Sequence, residues 1–388
     1  MVTKYLIPLL LSGTLYVSAS NPVKELPDSI FIGNQDFHVQ GIALDKQKEH
    51  IYFSFTNRLI KTDLKGNIIG SVDNFEGHLG AMTLNPEDGR IYASLECKND
   101  EIGANIAKKM GTKAISKNNS VFYIAIFDGD KINKEGMNPQ TDAIMNTVCV
   151  QEAVKDYQAT IVNQGKSREH RYGCSGIDGV MFAPMIGNEK RDKFYLYVGY
   201  GIYSDTTRTD NDYQILLCYD PKDLERYEKP VKWGSSHTSG PKKPKRKFFL
   251  KTGNSSYGIQ NMTYDASSDS CYIAVYKGKK SNYPNYSLFS FDATQIPSFS
   301  LLEGFDKSEK QWTIRLGELG NRDEKSGICG WNFPWGSTGI FPAGNNYFYI
   351  SENHRDKDGK ECCTARLYKW TGDSLKPFEP YATACLSD

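Results

Sequence analysis

The sequence predicts an all-β protein, and three observations lead to that prediction. Of its 388 residues, 34 are glycine, 24 are tyrosine and 19 are phenylalanine, so turn-forming and strand-favouring residues are both plentiful. Few runs favour a helix, and short apolar runs bounded by turn residues recur along the chain. The third observation is a repeat, because one three-part pattern of short strands occurs five times between residues 40 and 372.

Each copy of the repeat begins with a short strand that carries or borders a glycine. A turn rich in Asp, Asn, Ser and Gly follows this strand, as these residues tolerate tight bends. The five leading strands are predicted at residues 40–45, 79–84, 178–182, 258–262 and 337–341.

The second strand of each copy contains a tyrosine close to its start, and the third usually ends in Asp. The second strands are predicted at residues 51–55, 91–95, 196–200, 272–276 and 348–351. The third strands are predicted at residues 59–63, 124–128, 216–220 and 288–292, and the fifth, at 366–372, lacks the Asp. Fourth strands are predicted at residues 67–72, 147–151, 247–251 and 311–316.

Five four-stranded antiparallel units, none able to bury its faces alone, predict a single β-propeller of five blades over residues 20–388. The segment 29–33 has no blade of its own and is expected to add the outer strand of the fifth blade. The uneven spacing of the copies predicts long insertions, the longest at about 131–172, with a helix-compatible stretch at 152–161. A ring of six blades, one of them degenerate, is the alternative.

The N-terminus predicts export. Lys4 precedes an apolar run at 5–11 and small residues that end at Ala19, which is typical of a cleaved secretory signal over residues 1–19. We therefore expect a secreted or periplasmic protein, and no later stretch approaches the roughly 20 apolar residues of a membrane span. The formal net charge of +1 excludes a general polyanion binder, so no nucleic-acid partner is expected. The ring is expected to be a monomer.

Nine cysteines follow the predicted signal. In an oxidising compartment some of them are expected to form disulfides, although the odd number leaves at least one unpaired. Cys329 is the predicted partner of one of the adjacent residues Cys362 and Cys363. Cys218 and Cys271 lie within predicted strands and are expected to be buried free thiols.

With these blades in place, the chain resembles secreted five-bladed β-propeller proteins of the broad quinoprotein-like and NHL-like group. The stretches at 38–41, 77–80 and 257–261 resemble those of a secreted propeller family without an assigned activity. The resemblance implies the ring fold and no particular reaction, because one fold hosts many functions.

The innermost strands of a propeller line its central channel, so polar residues near their starts are expected to meet at one mouth. Polar residues at the ends of the second strands join them. The predicted ligand-binding residues are His38, Gln40, His78, Asp178, Tyr257, Gln260, Asn261, Trp335, Ser337 and Glu352. No catalytic motif such as G-x-S-x-G or H-E-x-x-H is present. The leading hypothesis is therefore a rigid ring that binds a small molecule, glycan or peptide at the channel mouth.

The alternative hypothesis is a hydrolase whose candidate catalytic residues are Asp178, Glu96 and Glu352. Two carboxylates of different pKa suffice to cleave a glycosidic bond, and some five-bladed propellers cleave arabinan or fructan. Calcium-dependent five-bladed nucleotidases extend the analogy to phosphoester hydrolysis and to Ca²⁺ in the central channel. His38 and His78 occupy matching positions in neighbouring blades, and with Asp178 they are candidate ligands for a transition metal.

Overall fold

The computed structural model of the protein describes residues 26–111, 119–188 and 190–382. They form five antiparallel sheets arranged as the blades of a propeller, which confirms the predicted fold class and blade number. The six-bladed alternative is wrong. The predicted signal at 1–19 and Cys385 lie outside the described residues. None of the helices in the described ranges is long and apolar enough to span a bilayer.

Blades 1 and 2 each consist of four strands paired in chain order from the channel outwards. The chain enters through β1 (Ser29–Gln35), which belongs to the last blade. Blade 1 comprises β2 (Val39–Leu44), β3 (His50–Phe55), β4 (Arg58–Asp63) and β5 (Ile68–Asp73). Blade 2 comprises β6 (His78–Leu84), β7 (Ile91–Cys97), β8 (Val121–Phe127) and β9 (Met145–Cys149), with helix α1 (Glu101–Met110) inserted after β7.

The region between blades 2 and 3 contains a helix and a hairpin. These are α2 (Gln151–Gln158), β10 (Thr160–Asn163) and β11 (Lys166–Glu169). The predicted helix at 152–161 therefore ends too late, because residues 160–163 pair with 166–169. Blade 3 comprises β12 (Cys174–Pro184), β13 (Phe194–Ile202), β14 (Tyr213–Tyr219) and β15 (Arg246–Lys251), with helix α3 (Pro221–Glu225) between the last two strands.

Blade 4 differs from the others because its hydrogen-bonded sheet has three strands. They are β16 (Ser255–Asp265), β17 (Ser270–Lys277) and β18 (Leu288–Asp292). They precede β19 (Ser298–Leu301), β20 (Lys310–Ile314) and the short pair β21 (Asn321–Arg322) and β22 (Cys329–Gly330). The fourth strand predicted at 311–316 is wrong as a member of this blade, since β20 pairs in parallel with β15 and extends blade 3. The backbone of Trp331 occupies the outer edge of β18 instead, through bonds of 2.9 and 3.1 Å with Leu288.

Blade 5 closes the ring with strands from both ends of the described chain. It comprises β23 (Ile340–Gly344), β24 (Tyr347–Arg355), β25 (Glu361–Trp370) and β1, and β26 (Phe378–Pro380) pairs with the end of β25. Ser29 of β1 lies opposite Arg366, and Ile30 lies opposite Ala365. The predicted closure by the segment 29–33 is confirmed.

Burial of apolar side chains holds the closing strand β1 in place. Ile30 is 1% exposed, so a substitution there tests how much this burial contributes to stability. We expect Ile30→Val to lower the free energy of unfolding by about 1 kcal/mol, because one buried methylene group is lost. The same change at Ile296, which is 82% exposed, should have an effect of less than about 0.3 kcal/mol. Urea titration of both variants measures the difference. Equal losses would show that β1 contributes no packing energy to the closed ring.

The core is divided into hydrophobic clusters that lie between neighbouring blades, five of them among the described residues. Each cluster contains the tyrosine of a different repeat. These tyrosines are Tyr52, Tyr92, Tyr197, Tyr272 and Tyr349. The tyrosine repeat in the sequence therefore reflects one large aromatic ring placed at every blade interface.

The inner strands approach one another closely around the channel. A Cβ atom on Gly41 would lie 2.8 Å from the backbone nitrogen of Met82 in the next blade, so only glycine fits there. Further along the channel, Asn261 Nδ2 donates to the carbonyl oxygens of Gln40 at 2.7 Å and of Ser337 at 2.9 Å. One side chain of blade 4 thus ties together blades 1, 4 and 5.

The cysteines are unpaired wherever the structure describes them, and all eight of those residues are buried. The predicted disulfide between Cys329 and Cys362 or Cys363 is wrong. Cys329 lies in β22 beside blade 4, whereas the other two lie in β25 of blade 5. Cys218 and Cys271 are buried free thiols, as predicted, and burial raises the pKa of the Cys218 thiol to about 12.

Candidate functional site

A cavity of about 270 Å³ lies at the channel mouth, and we call it the first cavity. Blades 1 to 4 and helix α1 contribute its lining. The predicted residues His38, Gln40, His78, Glu96, Asp178, Tyr257 and Gln260 all line it, so the structure brings them together. Phe37, Ile106, Ser175 and Tyr276 are further lining residues.

A second cavity of about 400 Å³ adjoins the first and shares His38 and Tyr276 with it. Blade 5 and the segment before it supply most of the remaining lining. The predicted residues Trp335 and Ser337 lie here, together with Asn353 and Glu361. The two cavities therefore divide the predicted residues between neighbouring sectors of the same mouth.

Asn261 and Glu352 line neither cavity. The amide of Asn261 is engaged in the inter-blade bonds described above. Glu352 Oε1 accepts hydrogen bonds from Arg366 Nε at 2.7 Å and from the Tyr368 hydroxyl at 2.6 Å. Its neighbour Asn353 lines the second cavity, and adjacent residues of a strand point to opposite faces, so Glu352 points away.

A buried ion pair lies beside the first cavity, at the end of β7. Glu96 Oε2 lies 2.8 Å from Lys98 Nζ, and both side chains are less than a tenth exposed. Glu96 Oε1 accepts from the backbone N–H of Ile177 at 2.9 Å. Lys98 Nζ also donates to the carbonyl oxygen of Ser175 at 3.0 Å and lies 3.8 Å from Asp100 Oδ2. Both oxygens of Glu96 and the ammonium of Lys98 are therefore already engaged.

Asp178 is in a different state. It is 8% exposed, lines the first cavity and forms no ion pair with any side chain that the structure describes. Burial raises the pKa of Asp178 well above its usual range, and the charge of Glu96 adds to this effect. Lys98 and hydrogen bonds from the Ala81 backbone and the Gln260 side chain act in the opposite direction. Asp178 is thus a buried carboxylate without a cation of its own.

Burial disfavours the positive charge of both histidines of the first cavity. Burial lowers the pKa of His78 to about 3, with Lys98 and His38 adding to the effect, and its Nδ1 lies 3.2 Å from Thr56 Oγ1. Burial also lowers the pKa of His38, whose Nε2 lies 3.1 Å from the amide nitrogen of Gln40. Neither imidazole therefore supplies positive charge to balance Asp178.

The predicted metal ligands His38, His78 and Asp178 all border the first cavity. However, no three His, Cys, Asp or Glu side chains in residues 26–111, 119–188 and 190–382 are grouped closely enough to hold a metal ion. The nearby carboxylate of Glu96 is already paired with an ammonium group. The residues present therefore do not fit the predicted Ca²⁺ site or transition-metal site.

Helix α1 lies at the mouth and was not predicted from the sequence. Asp100 caps its start by accepting from the Gly103 backbone N–H at 2.8 Å, and Gly111 ends it in a left-handed conformation. These two residues were the available sequence signal for the helix. Lys109 of α1 places its ammonium 3.9 Å from the centroid of the Phe37 ring. No sequence pattern indicated Phe37.

No family model matches the chain, and no curated protein is significantly similar to it. Among solved structures, it is similar to the β-propeller domain of Cps50 (Swd1) from Myceliophteria thermophila, with 13% identity, 88% of this chain and 72% of that chain covered, and a TM-score of 0.34. It is similar to a Trichoderma reesei protein of carbohydrate-active enzyme family AA12, with 12% identity, coverages of 84% and 80%, and a TM-score of 0.38. It is also similar to the holo PQQ domain of a Coprinopsis cinerea pyranose dehydrogenase, with 14% identity, 84% of this chain and 81% of that chain covered, and a TM-score of 0.32. Similarities this distant carry no argument about ligand or reaction.

Proposed function

We propose that the protein binds a small polar molecule in the first cavity, with Asp178 as the charged anchor. The observation that carries the proposal is the state of Asp178, a nearly buried carboxylate that lines a cavity and lacks an ion-pair partner in the described chain. The volume of about 270 Å³ suits a molecule of modest size. Gln260, Gln40 and Thr56 add hydrogen-bonding groups around the same space.

The same geometry favours binding over the hydrolase alternative. Hydrolysis of a glycosidic bond requires two carboxylates that can both reach the substrate. Glu96 has both oxygens bound to protein groups, and Glu352 is bonded to Arg366 and Tyr368 outside the cavities. Of the three candidate catalytic carboxyl groups, only Asp178 lines a cavity without forming an ion pair in the described chain.

The second cavity supports a ligand that extends beyond the first. Trp335 offers an apolar surface there, and Ser337 offers a hydroxyl group. A short glycan or peptide anchored at Asp178 has this adjoining space for its remaining units. The pattern of residues 1–19 further supports the proposal that the mature protein meets its ligand after export.

The proposal is tested by blocking the first cavity from α1. Wild-type protein and the Ile106→Trp variant are screened by thermal shift against sugars, amino acids, amines, carboxylates and nucleotides. Ile296→Trp, at an 82% exposed position, is the matched control. We expect one class of compound to raise the melting temperature of the wild type and the control by about 2–5 °C at a hundred times its Kd.

Ile106→Trp should abolish that shift, because its larger side chain fills the space that the ligand occupies. Two results would contradict the proposal. One is that no class of compound binds the wild type, and the other is that Ile106→Trp binds the active compound as tightly as Ile296→Trp does.

A further inference from the structure

We propose that the ligand of the first cavity carries an organic ammonium group, which pairs with Asp178 while its carbon skeleton lies against the aromatic rings of the mouth. This inference rests on the function proposed above and assigns the chemical class of the ligand. It is argued from the charges around the cavity, from the bonds already made by Lys98 and from the aromatic lining.

The charges around the first cavity do not balance. The carboxylates of Glu96 and Asp178 line the cavity, whereas Lys98 is the single lysine or arginine in its lining within the described chain. Asp100 lies outside the lining, 3.8 Å from Lys98, and Lys109 lies against the ring of Phe37. Burial disfavours the positive charge of His38 and His78. Buried charges are normally paired, since an unpaired one remains strongly unfavourable in a region of low dielectric constant. A ligand that brings a positive charge corrects this imbalance.

Lys98 corrects it only in part, because its ammonium group has other partners. It lies 2.8 Å from Glu96 Oε2, donates to the Ser175 carbonyl at 3.0 Å and lies 3.8 Å from Asp100 Oδ2, which is beyond hydrogen-bond distance. An ammonium group has three N–H donors and no more. The charge of Lys98 lowers the pKa of Asp178, but its direct ion pair is with Glu96, so a direct ion pair with Asp178 is left for a group from outside the protein.

The apolar part of the lining consists largely of aromatic rings, which attract cations through their faces. Tyr257 and Tyr276 line the first cavity with their rings perpendicular and 6.4 Å apart. Phe37 lines it as well, and its ring already carries the ammonium of Lys109 at 3.9 Å. The mouth thus contains a cation–π contact of the kind expected for a ligand ammonium and its alkyl substituents.

Other ligand classes fit these charges less well. A carboxylate or phosphate would add negative charge beside Glu96 and Asp178, which line the cavity with one lysine. A neutral sugar would bring no charge to pair with Asp178. A cation forms an ion pair with Asp178 and thereby favours its ionised form against the effect of burial.

The stability of the protein without added ligand provides a first test. Asp178→Asn keeps the shape of the side chain and removes the unpaired charge, so we expect its melting temperature to exceed that of the wild type by about 2–5 °C at pH 8. A raised folded-state pKa means that the stability contributed by protonated Asp178 is lost as the pH rises through that pKa. The difference in melting temperature between Asp178→Asn and the wild type should therefore become smaller as the pH falls. Glu96, Lys98 and Tyr276 interact with Asp178, and His78 lines the same cavity. All four are present in both proteins, so the difference reports Asp178 together with its effect on Glu96.

Binding provides the decisive test, with probes that differ only in charge. Butylammonium, benzylammonium and choline are compared by calorimetry with their neutral counterparts 1-butanol, benzyl alcohol and 3,3-dimethylbutanol. We expect at least one ammonium probe to bind wild-type protein at least about 10-fold more tightly than its counterpart. Asp178→Asn should weaken that probe by about 10-fold or more without affecting the neutral one. Asp192→Asn, at an exposed position, should match the wild type.

The inference is overturned if neutral probes bind as tightly as ammonium probes, or if Asp178→Asn leaves ammonium binding unchanged. Its failure can be distinguished from failure of the proposed function. If a sugar or carboxylate binds the wild type and loses its site in Ile106→Trp while every amine fails, the ammonium assignment is wrong and the binding pocket stands. If nothing binds, both are wrong.

Discussion

Lys98→Met is expected to destabilise the protein by about 3–5 kcal/mol at pH 7.5, because breaking a buried ion pair leaves an uncompensated charge. The variant would keep Glu96, Asp100 and Asp178 close together without the ammonium that now lies 2.8 Å from Glu96. Burial raises the pKa values of Glu96 and Asp178, and the variant lacks the cation that lowers both. The variant should therefore regain stability relative to the wild type as the pH falls towards 5. Urea titrations of both proteins between pH 5 and 8 measure this recovery.

Two further variants show whether the loss comes from unpaired charge. Glu96→Gln combined with Lys98→Met removes both members of the pair, and we expect it to be more stable than Lys98→Met alone by at least about 1 kcal/mol. Lys310→Met, at an exposed position, should change stability by less than about 0.5 kcal/mol. A loss below about 1 kcal/mol in Lys98→Met, independent of pH, would show that the ion pair does not balance this region.

Gly176→Ala is expected to cost about 2–5 kcal/mol, because backbone strain and a steric clash add at one position. Gly176 has a φ of 129°, a conformation that alanine rarely adopts. Its new Cβ would lie 1.9 Å from Glu96 Oε1 and 2.6 Å from Cε1 of Phe122. Glu96 cannot move aside freely, since that oxygen accepts from Ile177 and the other is paired with Lys98.

Gly89→Ala separates the two contributions. Gly89 has a φ of 73°, and a Cβ there would meet no heavy atom within 4 Å, so this variant should show only the backbone cost of about 1–2 kcal/mol. Denaturant titration of both variants gives the difference due to the clash. Equal losses of stability in Gly176→Ala and Gly89→Ala would mean that the region around Glu96 relaxes to accept the new Cβ atom. That result would contradict a fixed geometry of the Glu96–Lys98 ion pair.

The ring could be predicted from the sequence because its regularities are local. A strand beside a glycine, a turn and a second strand with a tyrosine recur in each blade, and each tyrosine proves to fill a different blade interface. Asp178 could be predicted for the same reason, since its position in the leading strand places it at the mouth. Glu96 is in β7 and Lys98 directly follows it, so their two-residue spacing is visible in the sequence, whereas their pairing was not predicted.

The remaining features depend on contacts between residues far apart in the chain. Nothing near residue 312 indicates that β20 pairs with β15 rather than with β18, because each of these strands has a suitable apolar pattern. Glu352 looked equivalent to Glu96 at the end of a second strand, but its partners Arg366 and Tyr368 lie in the next strand along the chain. Whether a carboxylate is bonded to other side chains therefore depends on how the strands pair, which the sequence alone does not show.

The closure of blade 5 by β1 has a consequence for how the protein is made. The Tyr349 hydroxyl donates to the carbonyl of Pro27 across 322 residues of sequence, and β1 pairs with β25 over a similar separation. During synthesis, β1 leaves the ribosome early. Its partner strand β25 is made only when most of the chain has been synthesised, so β1 remains unpaired until then. Contacts of such long range slow folding, and an unpaired strand is open to exchange with a neighbouring molecule. Until β25 is made, β1 therefore presents an unpaired edge to other newly made chains.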